Sequence, residues 1–425
     1  VGDHEAQLRF HRDIRMIGFR ERTEVGTVLR LLAERLSPLP AEMVPLRLAA
    51  GRVLAEDVAS PVDVPGFDRA AMDGYAVRGE DTFGASLYSP VELKLIGQVR
   101  AGSCFPGPCG PGEAVRIMTG APLPAGADAV LPAEAACEQA GSVLVRDAVP
   151  PGKHVSRRGE DVVRGTRVLE QGRRLRPQDL GLLAAIGVPE VPVIRQPSVA
   201  ILVTGDELLP VGSQPSGYRI VDSNSVMLEA LVRRDGGVPQ TGPIVPDTRE
   251  ALTEALSQCQ ADVVLLTGGT SVGCEDHAPG VIAELGELAV HGVAMRPASP
   301  TGVGFLRGRP VFLLPGNPVS CLAAYDFFAG PALRRLAGRS LDWSYRRVVL
   351  PLAAKVASAV GRVDYVRVAV TDAGVVPLAV SGASILSTTT RADGFLVVPS
   401  ECEGYAPGSS VEVFLYDAEL PLTGR

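Results

Sequence analysis

Four short apolar runs, each ending in a polar or glycine-rich loop, organise the middle of the chain. Residues 198–203 (SVAILV) lead into Thr204-Gly205-Asp206-Glu207, and 240–245 lead to Asp247. Residues 261–266 (ADVVLL) lead into TGGTSVG at 267–273, and 310–314 (PVFLL) lead into Pro315-Gly316-Asn317-Pro318. Between and after them, apolar residues recur at helical spacing over 224–234, 249–258, 279–285 and 319–337. Runs that stay apolar at successive positions suit strands covered on both faces, so the pattern predicts βαβ units in a parallel sheet. In such sheets ligands bind at the C-terminal ends of the strands, where all four loops fall.

The flanks have a different texture. Thr23 is placed to cap a helix carrying Val25, Val28, Leu29, Leu32 and Leu36, which Pro38 and Pro40 stop. From 61 to 151 glycine and proline are dense and turn signals recur, which reads as a small β module. A helix at 177–186 follows. The module is therefore expected to be inserted into an elongated mixed domain made of 23–60 and 152–192. The α/β domain is expected at 193–338. Alternating segments at 348–352, 365–370, 375–378, 394–398 and 410–415 predict a closing β domain at 339–425. The fold class is multidomain α/β plus β.

Composition narrows the partners. The formal charge of −7 over 425 residues argues against nucleic acid or an anionic membrane. A loop of backbone N–H groups can still hold a small anion without showing in net charge. No run reaches the ~18–20 apolar residues a span needs, and no signal-peptide pattern opens the chain. Seven cysteines without a CxxC pair suit reduced structural thiols, so a cytoplasmic location is expected. The arginines at 9, 12, 15, 20 and 22 read as a solvated tail, with a basic arm that binds a partner as the alternative.

Candidate chemistry concentrates at the strand ends. Paired glycines and hydroxyls in Thr267–Gly273 suit a phosphate cradle, although a tight turn alone would also use them. Asn317 and Pro318 suit the N-cap and first position of a helix aimed at the same edge. Asp206, Glu207, Asp247 and Asp276 lie there too. Carboxylates beside a phosphate repel it unless a divalent cation intervenes, which points to Mg²⁺, unless Asp206 and Asp247 merely cap helices. The loops at 67–76, 116–122 and 157–161 declare no reaction by themselves.

Taken together, DVPGFDRAAMDGYAVR (63–78), RIMTGAPLPAGADAV (116–130), RRGEDV (157–162), TGDEL (204–208), TGGTSVG with Asp276, Arg296-Pro297 and LPGNPVS (314–320) resemble the molybdopterin molybdotransferase family, the MoeA proteins and the gephyrin E domain. The likeness covers roughly 23–420. It implies a molybdopterin-binding-like, three-layer α/β domain and an elongated homodimer whose active site is shared between subunits. It also implies Mg²⁺-dependent insertion of molybdate into adenylylated molybdopterin with release of AMP, with the molybdopterin adenylyltransferase as a candidate partner. By position it assigns catalytic roles to Asp73, Thr119, Asp161, Glu207, Asp247, Asp276, Arg367 and Ser384. Cofactor binding falls to Thr204, Gly205, Gly268, Gly269, Ser271, Gly273, Arg296, Ser299, Pro315, Gly316, Asn317 and Ser320. Glu207, Asp247 and Asp276 are the implied metal ligands.

One departure stands out. Where the family reads Arg/Lys-Pro-Gly-Lys-Pro, this chain has Arg296-Pro297-Ala298-Ser299-Pro300. Without that lysine, the charge facing the oxyanion is expected to fall to Arg296, or molybdate binding to weaken. Two alternatives follow: a catalytically weakened, gephyrin-like scaffold, or a related enzyme acting on another anion such as tungstate.

Overall fold

Along strand Ser198–Val203, Val199, Ile201 and Val203 enter one core, while Ala200 and Leu202 enter another. Strands Val263–Thr267 and Arg309–Leu314 divide in the same way: Val263, Leu265, Phe312 and Leu314 face one side, and Val264, Leu266, Val311 and Leu313 the other. Two-sided burial is the physical reason for the unbroken apolar runs, since burying a large aliphatic side chain contributes ~1.5–3 kcal/mol.

The computed structural model describes residues 22–269, 276–379 and 382–417. The chain divides into two units, Val1–Glu42 with Ile194–Arg425, and Met43–Val193. In the first unit the sheet runs, in spatial order, Val238–Thr241, Ser198–Val203, Val263–Thr267, Arg309–Leu314, Gly302–Leu306 and Glu287–His291. The first four strands are parallel and the last two antiparallel. Helices Asn224–Asp235, Arg249–Gln258 and Ala278–Leu285 lie where the spacing predicts them, within a residue at either end.

Four expectations need correction. The strand expected at 240–245 is Val238–Thr241; beyond it only Val245 touches the sheet again, bridging Thr204. The sheet expected to be parallel ends in two antiparallel strands, Gly302–Leu306 and Glu287–His291. Glycine is required there: a Cβ on Gly304 would lie 2.7 Å from the Glu287 carbonyl oxygen and 2.6 Å from Ile282 Cγ2. The single helix expected at 319–337 is Pro318–Ala324, a π-helical Tyr325–Ala329, and Gly330–Leu336. Thr23 is not a cap; its N–H donates to the Gly292 carbonyl, and Glu24 holds the N-cap position of Val25–Arg35.

That helix also sits differently from its assignment to 23–60. Val25, Val28, Leu32 and Leu36 are buried in the core shared with Val290, Val293 and Phe328, inside the unit that continues at Ile194. The same unit carries a second six-stranded sheet, ordered Met295–Arg296, Val363–Thr371, Gly394–Val398, Ser410–Leu415 and Arg346–Pro351, with Gly374–Ala379 paired to Val363–Thr371.

In Met43–Val193 a six-stranded sheet is ordered Ala129–Pro132, Gly74–Val77, Glu113–Ile117, Val91–Val99, Ser142–Val145 and Ala136–Gln139. It carries one core on each face, around Tyr75, Val77 and Leu93 and around Ala76, Val115 and Ile117. A further core gathers Val44, Leu54 and Leu169 with Leu183 and Ile186 of the Pro177–Ala185 region.

Candidate active site

The strand ends of the parallel sheet converge on a cleft of about 520 Å³. Thr204, Gly205 and Glu207 line it from the first strand, Asp247 from the edge, Thr267, Gly268, Gly269 and Asp276 from the central strand and its loop, and Pro315, Gly316 and Asn317 from the last parallel strand. Ser384 reaches it from the C-terminal sheet region. These expected site residues are therefore brought together. Thr270–Glu275, which include Ser271 and Gly273, lie outside the described residues.

The loops interlock tightly. Thr204 N–H donates to the Thr267 carbonyl at 2.9 Å. Gly268 has φ +94°, and a Cβ there would fall 2.0 Å from the Thr204 carbonyl oxygen, so no other residue fits the turn. Asp247 does not cap the following helix: Thr248 does, its Oγ1 accepting from Ala251 N–H at 3.3 Å. Asp247 Oδ1 accepts instead from Thr204 Oγ1 at 2.6 Å, beside Gly269. Asp206 is also not a cap; its Oδ1 accepts from Asp247 N–H at 3.3 Å. Asn317 holds the N-cap position of Pro318–Ala324 but makes no side-chain cap bond, and Val319 N–H of that first turn donates to the Ala383 carbonyl at 3.0 Å.

Sequence reasoning missed the far wall. Asp222, Ser223 and Asn224 line the cleft. Asp222 Oδ1 accepts from the N–H groups of Asn224 and Ser225, capping helix Asn224–Asp235. Asn224 is buried and its Nδ2 bridges two loops, donating to Thr267 Oγ1 at 2.9 Å and to the Gly316 carbonyl at 2.7 Å. The signal available was Asp-Ser-Asn opening an apolar helical repeat, which reads only as a cap.

The cations expected at the oxyanion are placed elsewhere. Arg296 lies on a strand of the C-terminal sheet and is ion-paired with the wholly buried Asp364, which also accepts from Arg362 Nε at 3.1 Å and Ser358 Oγ at 2.8 Å. One carboxylate thus serves two guanidiniums, and Arg296 is tied to it where the chain was expected to use its charge. Arg367 is 1% exposed, and its guanidinium donates to the carbonyls of Gly382 and Ala379 at 3.5 and 3.4 Å. Burial pulls its pKa below the usual arginine value. Neither arginine lines the cleft. Ser299 and Ser320 do not line it either; Ser299 Oγ is buried without a hydrogen-bond partner, while the adjoining Pro300 is part of the wall.

Asp73, Thr119 and Asp161 belong to the other unit. There Asp73 Oδ1 accepts from both the N–H and the Oγ1 of Thr119, each at 2.7 Å. Those two bonds, the backbone one foremost, hold its carboxyl below the usual range, so it is an anion on an exposed loop at neutral pH. Asp161 N–H donates to the Val64 carbonyl.

The cleft offers backbone dipoles, hydroxyls and four carboxylates, Glu207, Asp222, Asp247 and Asp276, of which Asp222 is engaged by the N–H groups of Asn224 and Ser225. That is an all-oxygen donor set, the kind a hard divalent cation takes. Among the described residues no three His, Cys, Asp or Glu side chains are grouped closely enough to enclose a metal ion alone. Such a donor set suits Mg²⁺ shared with the oxygens of a bound phosphate, since Mg²⁺ often takes only one or two carboxylates from the protein.

Comparison with known proteins covers most of the chain. Three family models match: the MoeA N-terminal region (domain I and II) over 23–187, a probable molybdopterin binding domain over 200–335, and the MoeA C-terminal region (domain IV) over 349–416. A putative molybdopterin biosynthesis protein of Methanocaldococcus jannaschii is 38% identical, over 86% of this chain and 90% of its own. Molybdopterin molybdenumtransferase 2 of Mycobacterium tuberculosis is 37% identical, over 91% and 97%. The crystal structure of a molybdopterin biosynthesis MoeA protein from Pyrococcus horikoshii superposes with a TM-score of 0.81 at 37% identity, covering 94% of this chain and all of that one.

Proposed function

The chain belongs to the MoeA family of molybdopterin molybdotransferases, and from that premise we propose that it inserts molybdate into adenylylated molybdopterin and releases AMP in molybdenum cofactor biosynthesis. The observation that carries this reading is the convergence of Thr204–Glu207, Asp247, Gly268–Gly269, Asp276 and Pro315–Asn317 on one cleft. Backbone N–H groups of these loops suit the phosphate and pyrophosphate oxygens of the substrate. Asn224, by tying two of the loops together, keeps those donors in place before substrate arrives.

Of Glu207, Asp247 and Asp276, one or two would hold Mg²⁺ beside the bound phosphates. When bound, that ion supplies charge neutralisation and Lewis-acid polarisation of a phosphoryl oxygen. Thr204 fixes the Asp247 carboxylate by the 2.6 Å hydrogen bond, so that one ligand oxygen is pre-oriented. Ser384 offers a neutral donor to the molybdate oxyanion. We also place the Asp73–Thr119 pair of a second copy in the complete site of a homodimer, and we take the substrate to come from an adenylyltransferase.

The test is direct. Purified protein given adenylylated molybdopterin, molybdate and Mg²⁺ should release AMP, and a chelator should stop it. Asp247→Ala should slow release by about 10²-fold or more, the scale of losing a charged transition-state stabiliser. No AMP at any molybdate concentration would overturn the proposal. Replacing molybdate by tungstate in the same assay reads the oxyanion preference.

A further inference from the structure

The helix that leaves the Pro315–Pro318 turn does not wind uniformly: its middle turn, Tyr325–Ala329, is π-helical. Such a turn rotates a side chain away from the face an α-helix would give it, and it recurs at functional sites. Here it carries Asp326, which has no exposed surface. Asp326 Oδ1 accepts from Tyr345 Oη at 2.8 Å and from Arg234 Nη2 at 3.1 Å, and its carbonyl accepts from Trp343 Nε1 at 2.7 Å.

Of those partners, Arg234 belongs to helix Asn224–Asp235, while Trp343 and Tyr345 lie just ahead of strand Arg346–Pro351 and pack on the aromatic residues of the C-terminal sheet. Trp343 and Tyr345 pack edge-on against Phe395, Trp343 also against Phe414, and Tyr365 stacks on Phe395 with ring centroids 4.4 Å apart. Two positions beyond Tyr365 on the same strand, and so on the same face, Arg367 donates to the carbonyls of Ala379 and Gly382. The next carbonyl, of Ala383, accepts from Val319 N–H, in the first turn of the helix that bears Asp326. The contacts form a closed circuit, from helix to sheet to the 382–384 segment and back to the helix. Ser384 stands on that segment, at the cleft.

A buried carboxylate is a poor source of stability, because its desolvation offsets much of what its partners return. Its better-attested use is to fix one registry between packed elements. We infer that Asp326 is a positioning residue: it sets the C-terminal sheet on the helix so that 382–384 closes on the first helical turn and Ser384 meets the cleft. That this placement serves molybdate rests on the functional reading above.

Amide hydrogen exchange on the full chain without ligand tests the placement. In Asp326→Ala, exchange at 382–386 should speed by about tenfold or more while 198–203 stays protected, since local opening is confined to the freed segment. Asp326→Asn, which keeps an acceptor, should show less, and Tyr345→Phe, which removes one hydroxyl, gives a milder change should the alanine variant not fold. In the AMP assay, half-saturation by molybdate should rise about tenfold in Asp326→Ala, with less than about a twofold change for adenylylated molybdopterin, because loss of positioning acts on one ligand. Unchanged exchange at 382–386 in the folded variants, or a rise shared equally with 198–203, would overturn the inference. A wild-type protein that releases no AMP would count against the functional reading, while the exchange result would still decide the placement.

Discussion

Ala298 shows what one residue can conceal. It adopts φ +79°, where a side chain costs ~1–2 kcal/mol, and it is 2% exposed. Ala298→Gly would relieve that strain but lose a buried methyl and loosen the unfolded chain, each ~1 kcal/mol. The opposing terms nearly cancel, so denaturant unfolding should place this variant within about 1 kcal/mol of wild type. Asp262 is a different case. Burial alone would raise its pKa, but the Arg195 guanidinium and the Ser198 hydroxyl and N–H bring it down to about 2. A depressed carboxylate contributes fully above its unfolded pKa of about 3.9 and loses that contribution as pH falls through the folded value. Asp262→Asn should therefore cost about 1–2 kcal/mol at pH 7, after allowance for solvent screening, and the gap to wild type should close between about pH 4 and pH 2. A gap that widened on acidification would contradict the assignment.

Among the elements, helix Arg249–Gln258 links stability to the site. Its inner face buries Leu252 and Leu256, and its start is fixed by Thr248 immediately after Asp247. Thr248→Ala should lower stability by about 1 kcal/mol, the usual cost of losing an N-cap. Because fraying begins beside Asp247, the same variant should need more Mg²⁺ for half-maximal AMP release. An unaltered Mg²⁺ requirement would separate the cap from the cleft. The composite helix Pro318–Leu336 makes the complementary point: its apolar spacing announces a helix, yet the π-helical turn within it answers to Asp326 and its partners rather than to local propensity.

On the scale of the whole molecule, the chain passes between its two units at Glu42–Met43 and Val193–Ile194. Met43–Val193 carries three cores of its own. Expressed alone, 43–193 should unfold cooperatively, with a sigmoidal denaturant transition and dispersed amide resonances. A broad, non-cooperative profile would show that the division into units does not hold for this piece. Among the described residues no helix is long and apolar enough to cross a membrane.

What the sequence determined by itself was whatever repeats along the chain or is carried by residue type. Unbroken apolar runs fixed the two-sided sheet, helical spacing fixed the helices between its strands, and paired glycines with carboxylates marked the strand ends where the cleft lies. What only the tertiary structure decided was pairing between residues far apart. Asp364 pairs with Arg296, 68 positions away, and also with Arg362, a partnership that no local pattern announces. Asn224 joins loops 43 and 92 positions distant, so a residue that reads as a helix start becomes the tie of the site. Periodicity reports which face of an element is buried; it carries no record of which partner waits there, because hydrogen bonds and ion pairs depend on distances that only the folded chain sets.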